Sequence, residues 1–302
     1  LNAQPMGFYT PNTLVQDAIH HGVIVLLPDI NHSEYDCTIE HVPADPNDIA
    51  EYLGMKWRRG RGAVDDPVRA AVAVRIGLRY VRNLGDAEIT RIEAARRVGG
   101  PFVSPEDLAQ RTGLPLDALE GLAASGALQS LDLDRREGIW AAGALAELGP
   151  DRLALAPGTR PPELAQMDRY EQVQADLWST SIAVTHPVSF IREALAESGC
   201  MTIKEALELR RHGTRARVGG LVTHRQRPST ANGVRFLNLE DETGQLNVIV
   251  LPPVWDANYE IARKSIGMVI AGVLEYRDGV TNLVSHRFED WPILGVKSRD
   301  FR

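Results

Sequence analysis

The C-terminal third of the chain, from Thr214 onward, is patterned with a period of two residues. Apolar and polar side chains alternate cleanly over residues 234–239, and strand-like runs lie on either side, at 215–223 and 245–251. Alternation of this kind is typical of half-buried β-strands. The sequence therefore predicts three consecutive strands in this part of the chain.

A helix is predicted after the third strand, because Pro252 and Pro253 suit a helix start and the segment runs to about Lys264. Two more strands follow at 267–276 and 280–288, around a turn that contains Asp278 and Gly279. Strand, strand, strand, helix, strand, strand is the order of an oligonucleotide-binding (OB) barrel. We predict an OB-fold domain over residues 213–291.

Residues 64–148 are predicted to be helical throughout. Apolar residues keep helical spacing from Val72 through Ile76 to Leu84, and further helices are expected after Gly85, after Ser104 and from about Asp134. Two glycine-containing turns, at 83–85 and 125–128, would join pairs of these helices. The predicted fold class is α+β, a helical tandem helix-hairpin-helix domain followed by a β-barrel OB-fold domain.

The first turn is a candidate DNA-binding hairpin. Backbone N–H groups at a helix start attract a phosphate without reading bases, and Asn83, Leu84 and Gly85 would supply them. The surrounding arginines would add positive charge; those singled out are Arg79, Arg82 and Arg91. Asn83 stands where a glycine is usual, and asparagine tolerates the left-handed conformation. The alternative is a hairpin that only packs, which is expected of the second turn because its flanks are acidic.

Charge is distributed unevenly along the chain, although the net charge of −7 argues at first against nucleic acid. Lys, Arg, Asp and Glu sum to −8 over residues 1–55, +6 over 56–100, −8 over 101–210 and +3 over 211–302. This alternation suggests modules with different partners, the basic ones being suited to a polyanion. An equal alternative is that these charged side chains only form solvated faces and bind no partner.

In the OB segment, the usual binding face is formed by the second and third strands and the loops beside them. Candidates are Arg225 and Arg227 on the loop after the first strand, with Arg235 and Phe236 on the second. Phe236 could stack on a base, but alternation directs either Arg235 or Phe236 inward, and the aromatic ring is expected in the core. The arginines therefore carry this prediction.

Other polar clusters are assigned structural roles. Glu240, Asp241 and Glu242 precede a Thr-Gly turn, which predicts a solvated turn, and His32, Cys37 and His41 fit no zinc-site spacing. No nucleotide-binding loop or catalytic motif is present, so no catalytic and no metal-binding residue is predicted. The segment 174–178 is a candidate partner-binding motif in which Gln174, Leu177 and Trp178 would contact a groove, with packing in a helix as the alternative.

Together these motifs resemble those of the bacterial C-family DNA polymerases, the polymerase III alpha subunits. The opening segment 4–9 resembles the end of the family's fingers, 76–85 resembles its hairpin domain, and 225–228 with 236–244 resembles its OB domain. The chain end at 298–302 and the amino-acid sequence of the hairpin resemble the error-prone, damage-inducible (ImuC-type) branch of the family more than its replicase.

The resemblance implies a C-terminal portion of an error-prone polymerase used in translesion synthesis. Its regions would be the end of the fingers (1–63), the hairpin domain (64–148), a Pro-rich linker with helices (149–212), the OB domain (213–291) and a tail (292–302). The palm, where Mg²⁺ is expected, would precede Leu1, so this part needs no cofactor and should be inactive alone.

Expected partners are primer–template duplex, single-stranded template and accessory mutasome proteins of ImuB/ImuA type, in the cytoplasm and without a membrane. A sliding clamp is a doubtful partner, because Trp178 replaces the phenylalanine usual in the replicase's clamp motif. The alternative function is a protein-interaction module that docks the accessory proteins and binds little DNA.

Overall fold

A computed structural model describes residues 1–5, 9–41, 72–152, 161–162, 164–277, 279–291 and 299–300. The predicted boundary at 63/64 lies outside these ranges. The described chain forms two compact units, Leu1–Val184 and Thr185–Arg302. The division falls within the span 149–212 that the sequence assigns to linker and helices.

The first unit begins with a helix and a small sheet. Helix α1, Pro11–His20, is capped by the hydroxyl of Thr10, which accepts a hydrogen bond from the Thr13 N–H. Strands β1 (Ile24–Leu26), β2 (Thr38–His41) and β3 (Val72–Arg75) pair in the order β1-β3-β2. Strand β3 is parallel to β1 and antiparallel to β2.

Strand β3 corrects the prediction of helix over 64–148. Ala73 is fully buried in the strand, and Arg75 binds both carboxylate oxygens of Glu40 on β2, at 2.5 and 2.8 Å. Only a 3₁₀ turn, Leu78–Tyr80, separates β3 from the first hairpin. Pairing with two distant strands therefore overrides the helical spacing of these residues.

The rest of the first unit is helical around one core. After the hairpin come α2 (Asp86–Gly99), α3 (Pro105–Thr112), α4 (Leu116–Ala124), α5 (Arg135–Leu145) and α6 (Arg169–Thr180), with a 3₁₀ turn at Gln129–Leu131. Buried apolar residues from α2 to α5 form a single cluster, which includes Ile89, Leu108, Leu122 and Leu145. The hairpin joins this core through Leu84, which is 7% exposed.

The second unit begins with short helical segments and then forms a barrel. They are a 3₁₀ helix (Pro187–Ile191), α7 (Arg192–Glu197) and α8 (Ile203–Glu208). The barrel strands are β4 (Arg215–Gln226), β5 (Arg235–Asp241), β6 (Gly244–Val250), β7 (Gly267–Arg277) and β8 (Val280–Asp290), with α9 (Pro252–Ala257) and α10 (Tyr259–Lys264) between β6 and β7. Strand β9, Arg299–Asp300, adds to β4.

The strand pairing closes the barrel. The order β5-β6-β8-β7-β4 is completed by a β4–β5 pairing, and β6 and β8 are parallel while the other barrel pairs are antiparallel. This confirms the predicted fold class, a helical hairpin domain followed by an OB-like barrel. Leu237, Leu239 and Val248 are among the side chains that fill the barrel.

Two of the three residues in the acidic run at the β5–β6 turn are buried, so the predicted solvated turn is wrong. Glu240 is 1% exposed and Asp241 0% exposed. Arg192 at the start of α7 donates to Asp241 and Glu242, and Asp241 also accepts the N–H of Ile203 at 2.9 Å. The run therefore anchors α7 and α8 to the barrel.

Candidate nucleic-acid interface

The first hairpin is held rigidly against two helices of its unit. The N–H of Arg82 donates to the carbonyl of Ser179 on α6 at 2.6 Å. On α4, Gly121 leaves room for the same residue, because a Cβ there would lie 2.1 Å from the Arg82 carbonyl oxygen. Asn83 has φ 61°, the left-handed conformation that the sequence anticipates for it. Asn83 and Gly85 are exposed.

Two of the three predicted hairpin N–H groups already have acceptors within the chain. The Leu84 N–H donates to the Val81 carbonyl at 3.3 Å, and the Gly85 N–H to Oε2 of Glu88 at 3.1 Å. The pKa of Glu88 is lowered, chiefly because its carboxylate accepts its own backbone N–H and then because Arg91 lies beside it. A carboxylate thus occupies the position at the α2 N-terminus that an incoming phosphate would need.

The arginines predicted around this hairpin differ in availability. Arg79 binds Asp36 at 2.8 Å and lies over the rings of Tyr35 and Tyr80, so it serves the fold. Arg91 donates to Glu88 at 2.9 Å and to two main-chain carbonyls. Arg82 is exposed, and its guanidinium carbon lies 4.8 Å from the ring centroid of Trp178.

The contact of Arg82 with Trp178 brings the candidate DNA-binding hairpin and the candidate partner-binding motif onto one surface. Trp178, the last residue of the candidate partner motif, lies on α6 and is 47% exposed. Gln174 and Leu177, on the same helix, are half-buried. The motif is therefore helical, and its one well-exposed anchor already contacts Arg82 of the candidate DNA hairpin.

The second turn is packed, as its acidic flanks predict. Ser125 and Ala127 are fully buried, and the Ala127 carbonyl accepts the N–H of Ile30 at 2.9 Å. The guanidinium of Arg135 covers Gly126 and pairs with Asp176 at 2.6 Å. This turn offers no surface to a phosphate.

The Arg135–Asp176 pair predicts a pH-dependent stability. Burial, which outweighs the attraction of Arg135, raises the pKa of Asp176 from 3.8 to about 6. Between these values the unfolded chain releases a proton that the folded chain keeps, so the free energy of unfolding falls as the pH rises. We expect a loss of about 3 kcal/mol from this group across that window, and no further change above it.

Asp176→Asn isolates this effect. The free energy of unfolding would be measured by urea titration at several pH values, and the difference between the original chain and the variant plotted against pH. The difference should fall from pH 4 to pH 6 and then level. A difference that stays constant over this range would show that Asp176 does not titrate there.

In the barrel, the predicted loop position of Arg225 is wrong. Strand β4 extends to Gln226, and Arg225 is 7% exposed. Its guanidinium donates to the carbonyls of Ala262 and Ser265, which fixes the end of α10 to β4. Arg227, two residues further on, is exposed.

The expected inward orientation of Phe236 is also wrong. Leu237 and Leu239 fill the barrel, so Arg235 shares their face and Phe236 lies on the outer face, half-buried, opposite Ile249 of β6. Arg235 instead covers the ring of Trp255 at the end of the barrel, 3.9 Å from its centroid. A stacking role for Phe236 is therefore sterically open.

Sequence reasoning missed Glu88 and the stack of Arg82 on Trp178. The spacing of Gly85 and Glu88 is that of a helix N-cap and its third residue, a signal that could have revealed the occupied N-terminus. The contact between Arg82 and Trp178 joins positions 96 residues apart and has no local signal.

The described ranges contain no group of three His, Cys, Asp or Glu side chains that could hold a metal ion. No helix in the described part of the chain is long and apolar enough to cross a membrane.

Comparisons with known proteins agree with the hairpin and with the family resemblance. The family described as helix-hairpin-helix motif matches residues 22–138. The error-prone DNA polymerase of Methylococcus capsulatus is 41% identical over 307 residues, which cover 100% of this chain and 28% of that protein. The corresponding protein of Nocardia farcinica is 38% identical over 313 residues, covering 100% and 25%.

The chain spans about a quarter of the length of these curated relatives. Among solved structures, asparaginyl-tRNA synthetase from Pyrococcus horikoshii aligns with 33% of this chain and 24% of that chain, at 18% identity and a TM-score of 0.27, too low to inform the fold. The family resemblance is confirmed by the sequence relatives: the chain is homologous, over its whole length, to a C-terminal portion of the bacterial error-prone DNA polymerases.

Proposed function

We propose that this chain is the DNA-holding region of an error-prone DNA polymerase that acts in damage-induced translesion synthesis. The hairpin of the first unit would hold duplex phosphates, and the barrel would hold or steer the single-stranded template. The observation that carries the proposal is the exposed Arg82 beside a left-handed Asn83, on a backbone fixed by Ser179 and Gly121. A rigid cationic hairpin suits a ligand of regular shape and charge.

Because the carboxylate of Glu88 occupies the N-terminus of α2, binding of a phosphate at the proposed site would require Glu88 to move. A phosphate approaching the hairpin would meet the carboxylate of Glu88 and would have to displace it from the Gly85 N–H. Displacement would also release Arg91 from its ion pair with Glu88. Phosphate contacts of this type position DNA without specifying its sequence, and they weaken steeply with salt.

The barrel contributes a second surface. Arg227 is exposed, and Phe236 lies half-buried on the outer face of β5 and β6. Proteins that bind single-stranded nucleic acid commonly combine aromatic rings with cationic side chains. Polymerisation itself, with its Mg²⁺, would belong to the palm of the whole protein, acting in the cytoplasm with accessory proteins of ImuB/ImuA type.

The test is a pair of substitutions with opposite expected effects. Fluorescence anisotropy would follow binding to a labelled primer–template. Arg82→Gln should weaken binding about tenfold at low salt, because it removes one phosphate contact. Glu88→Gln should strengthen binding several-fold, because the amide keeps an acceptor for the Gly85 N–H but no longer repels phosphate.

Arg169→Gln is the matched control, since it removes the same charge from an exposed residue at the far end of α6 from Trp178. Equal losses for Arg82→Gln and Arg169→Gln would refute the hairpin site. Equal affinity at about 50 and 200 mM salt would refute the electrostatic mechanism. Tight binding of accessory proteins without DNA binding would favour the protein-interaction alternative, through Trp178.

A further inference from the structure

We propose that the helices between the third and fourth barrel strands, together with Arg227 and Arg235, form a binding site for single-stranded nucleic acid. This site shares Arg227 with the surface around Phe236 but is otherwise separate from the outer face of β5 and β6. We call it the arginine–aromatic ledge; it comprises Arg227, Arg235, Trp255, Tyr259 and Arg263. A base would stack on Tyr259, and the flanking phosphates would contact the arginines. This inference rests on the proposed function and adds a site to it.

The ledge is a continuous row of contacts in which two adjacent aromatic rings lie between guanidinium groups. The guanidinium carbon of Arg235 lies 3.9 Å from the centroid of Trp255. The ring of Tyr259 meets Trp255 edge to face, with centroids 6.3 Å apart and an interplanar angle of 84°. Arg263 then donates from Nη1 to the Tyr259 hydroxyl at 2.6 Å, and its guanidinium carbon lies 5.6 Å from that ring's centroid.

The fold makes this arrangement rigid at its base and open at its surface. Trp255 is 5% exposed and packs in the barrel core, and its Nε1 has no hydrogen-bond partner. Tyr259 is 40% exposed, and Arg263 and Arg227 are exposed as well. A ligand could therefore reach Tyr259 and the outer arginines, while Trp255 fixes the guanidinium plane of Arg235.

The charges of the ledge are not neutralised by ion pairs. Within the described ranges, neither Arg227 nor Arg235 forms a hydrogen bond or ion pair, whereas Arg192 and Arg217 of the same unit bind carboxylates. The pKa of Arg235 is lowered, first by burial and then by the positive charge of Arg227. Two neighbouring guanidiniums with free donors favour a ligand with closely spaced negative charges, and Asp256 offsets them only in part.

Single-stranded nucleic acid fits both the arginines and the exposed aromatic ring of the ledge. Its phosphates suit the guanidiniums, and any base can stack on an exposed ring without a matching hydrogen-bond pattern. A duplex, whose bases are already stacked, would use only the charges. The ledge should therefore prefer single strands and tolerate different sequences.

The test compares a labelled single-stranded oligonucleotide with a blunt duplex of the same length. Tyr259→Ala should weaken binding of the single strand about tenfold and leave duplex binding unchanged, and Arg263→Gln should weaken the single strand several-fold. Tyr259→Phe should retain most of the affinity, because the ring remains. Arg287→Gln on β8 is the matched control for charge, since this side chain is 73% exposed.

The outcomes separate this inference from the proposed function. Unchanged single-strand affinity in Tyr259→Ala would refute the ledge while leaving the hairpin's duplex binding intact. Absence of binding to either probe by the unaltered chain would refute both. Photocrosslinking with a 5-iodouracil oligonucleotide gives a second readout: adducts should map to the peptide that contains Tyr259, and adducts confined to Phe236 would overturn the ledge.

Discussion

Arg192→Met is expected to destabilise the Thr185–Arg302 unit by about 3–5 kcal/mol. The guanidinium donates to both carboxylate oxygens of Glu242 and, at 2.7 Å, to Oδ2 of Asp241, which is 0% exposed. Methionine has similar length but no charge, so it would leave a buried carboxylate without its cation. Urea denaturation followed by circular dichroism would show an early transition for this unit.

Arg217→Met is the matched control for this change. Arg217 pairs with Glu289 on β8, but the two side chains are 31% and 34% exposed, so water can solvate whichever partner remains. We expect a loss of no more than about 1 kcal/mol. Equal losses for the two variants would show that burial of Asp241 does not set the strength of the anchor.

The barrel was predictable because its signals are local. Alternating side chains and turn residues identify the strands, and the order of elements then identifies the OB topology. The burial of Glu240 and Asp241 had no such signal. The acidic run 240–242 looks like a solvated turn until Arg192, about fifty residues away, is brought against Asp241 and Glu242.

In the first unit the prediction failed where local and distant preferences compete. Val72, Ile76 and Tyr80 fit a helical spacing. The segment that forms β3 is only four residues long, however, and so short a segment does not distinguish a helix from a strand. Pairing of β3 with β1, 49 positions earlier in the chain, decides the outcome. The position of the hairpin that follows was predicted correctly, because Asn83 and Gly85 are local turn signals.

The candidate nucleic-acid interface shows the same contrast between local signals, which the sequence reveals, and distant contacts, which it does not. Sequence identifies arginines but not their partners, and the partners determine which guanidiniums can meet a phosphate. Arg225 and Arg227 are two positions apart, yet the first is bound to carbonyls of α10 and the second is exposed. The ledge arises only when α9 and α10 bring Trp255 and Tyr259 beside the start of β5.

Gly121→Ala is expected to destabilise the Leu1–Val184 unit by about 1–3 kcal/mol. Alanine at a helical glycine normally stabilises a helix by nearly 1 kcal/mol. Here its Cβ would lie 2.1 Å from the carbonyl oxygen of Arg82, a distance that requires the backbone to move. The steric conflict should therefore outweigh the gain in helix propensity, which urea denaturation would measure.

Gly143→Ala on α5 separates the two effects, because beyond the neighbouring backbone of its own helix no heavy atom lies within 4 Å of its added Cβ. This variant should gain about 0.5–1 kcal/mol and leave primer–template binding unchanged. Gly121→Ala should also lower primer–template affinity in the folded protein, because the backbone that must yield is the one that carries Arg82 and Asn83. A gain in stability for both variants would mean that the hairpin can retreat from α4 without cost, and rigid presentation of its arginine to a phosphate would then fail as a mechanism.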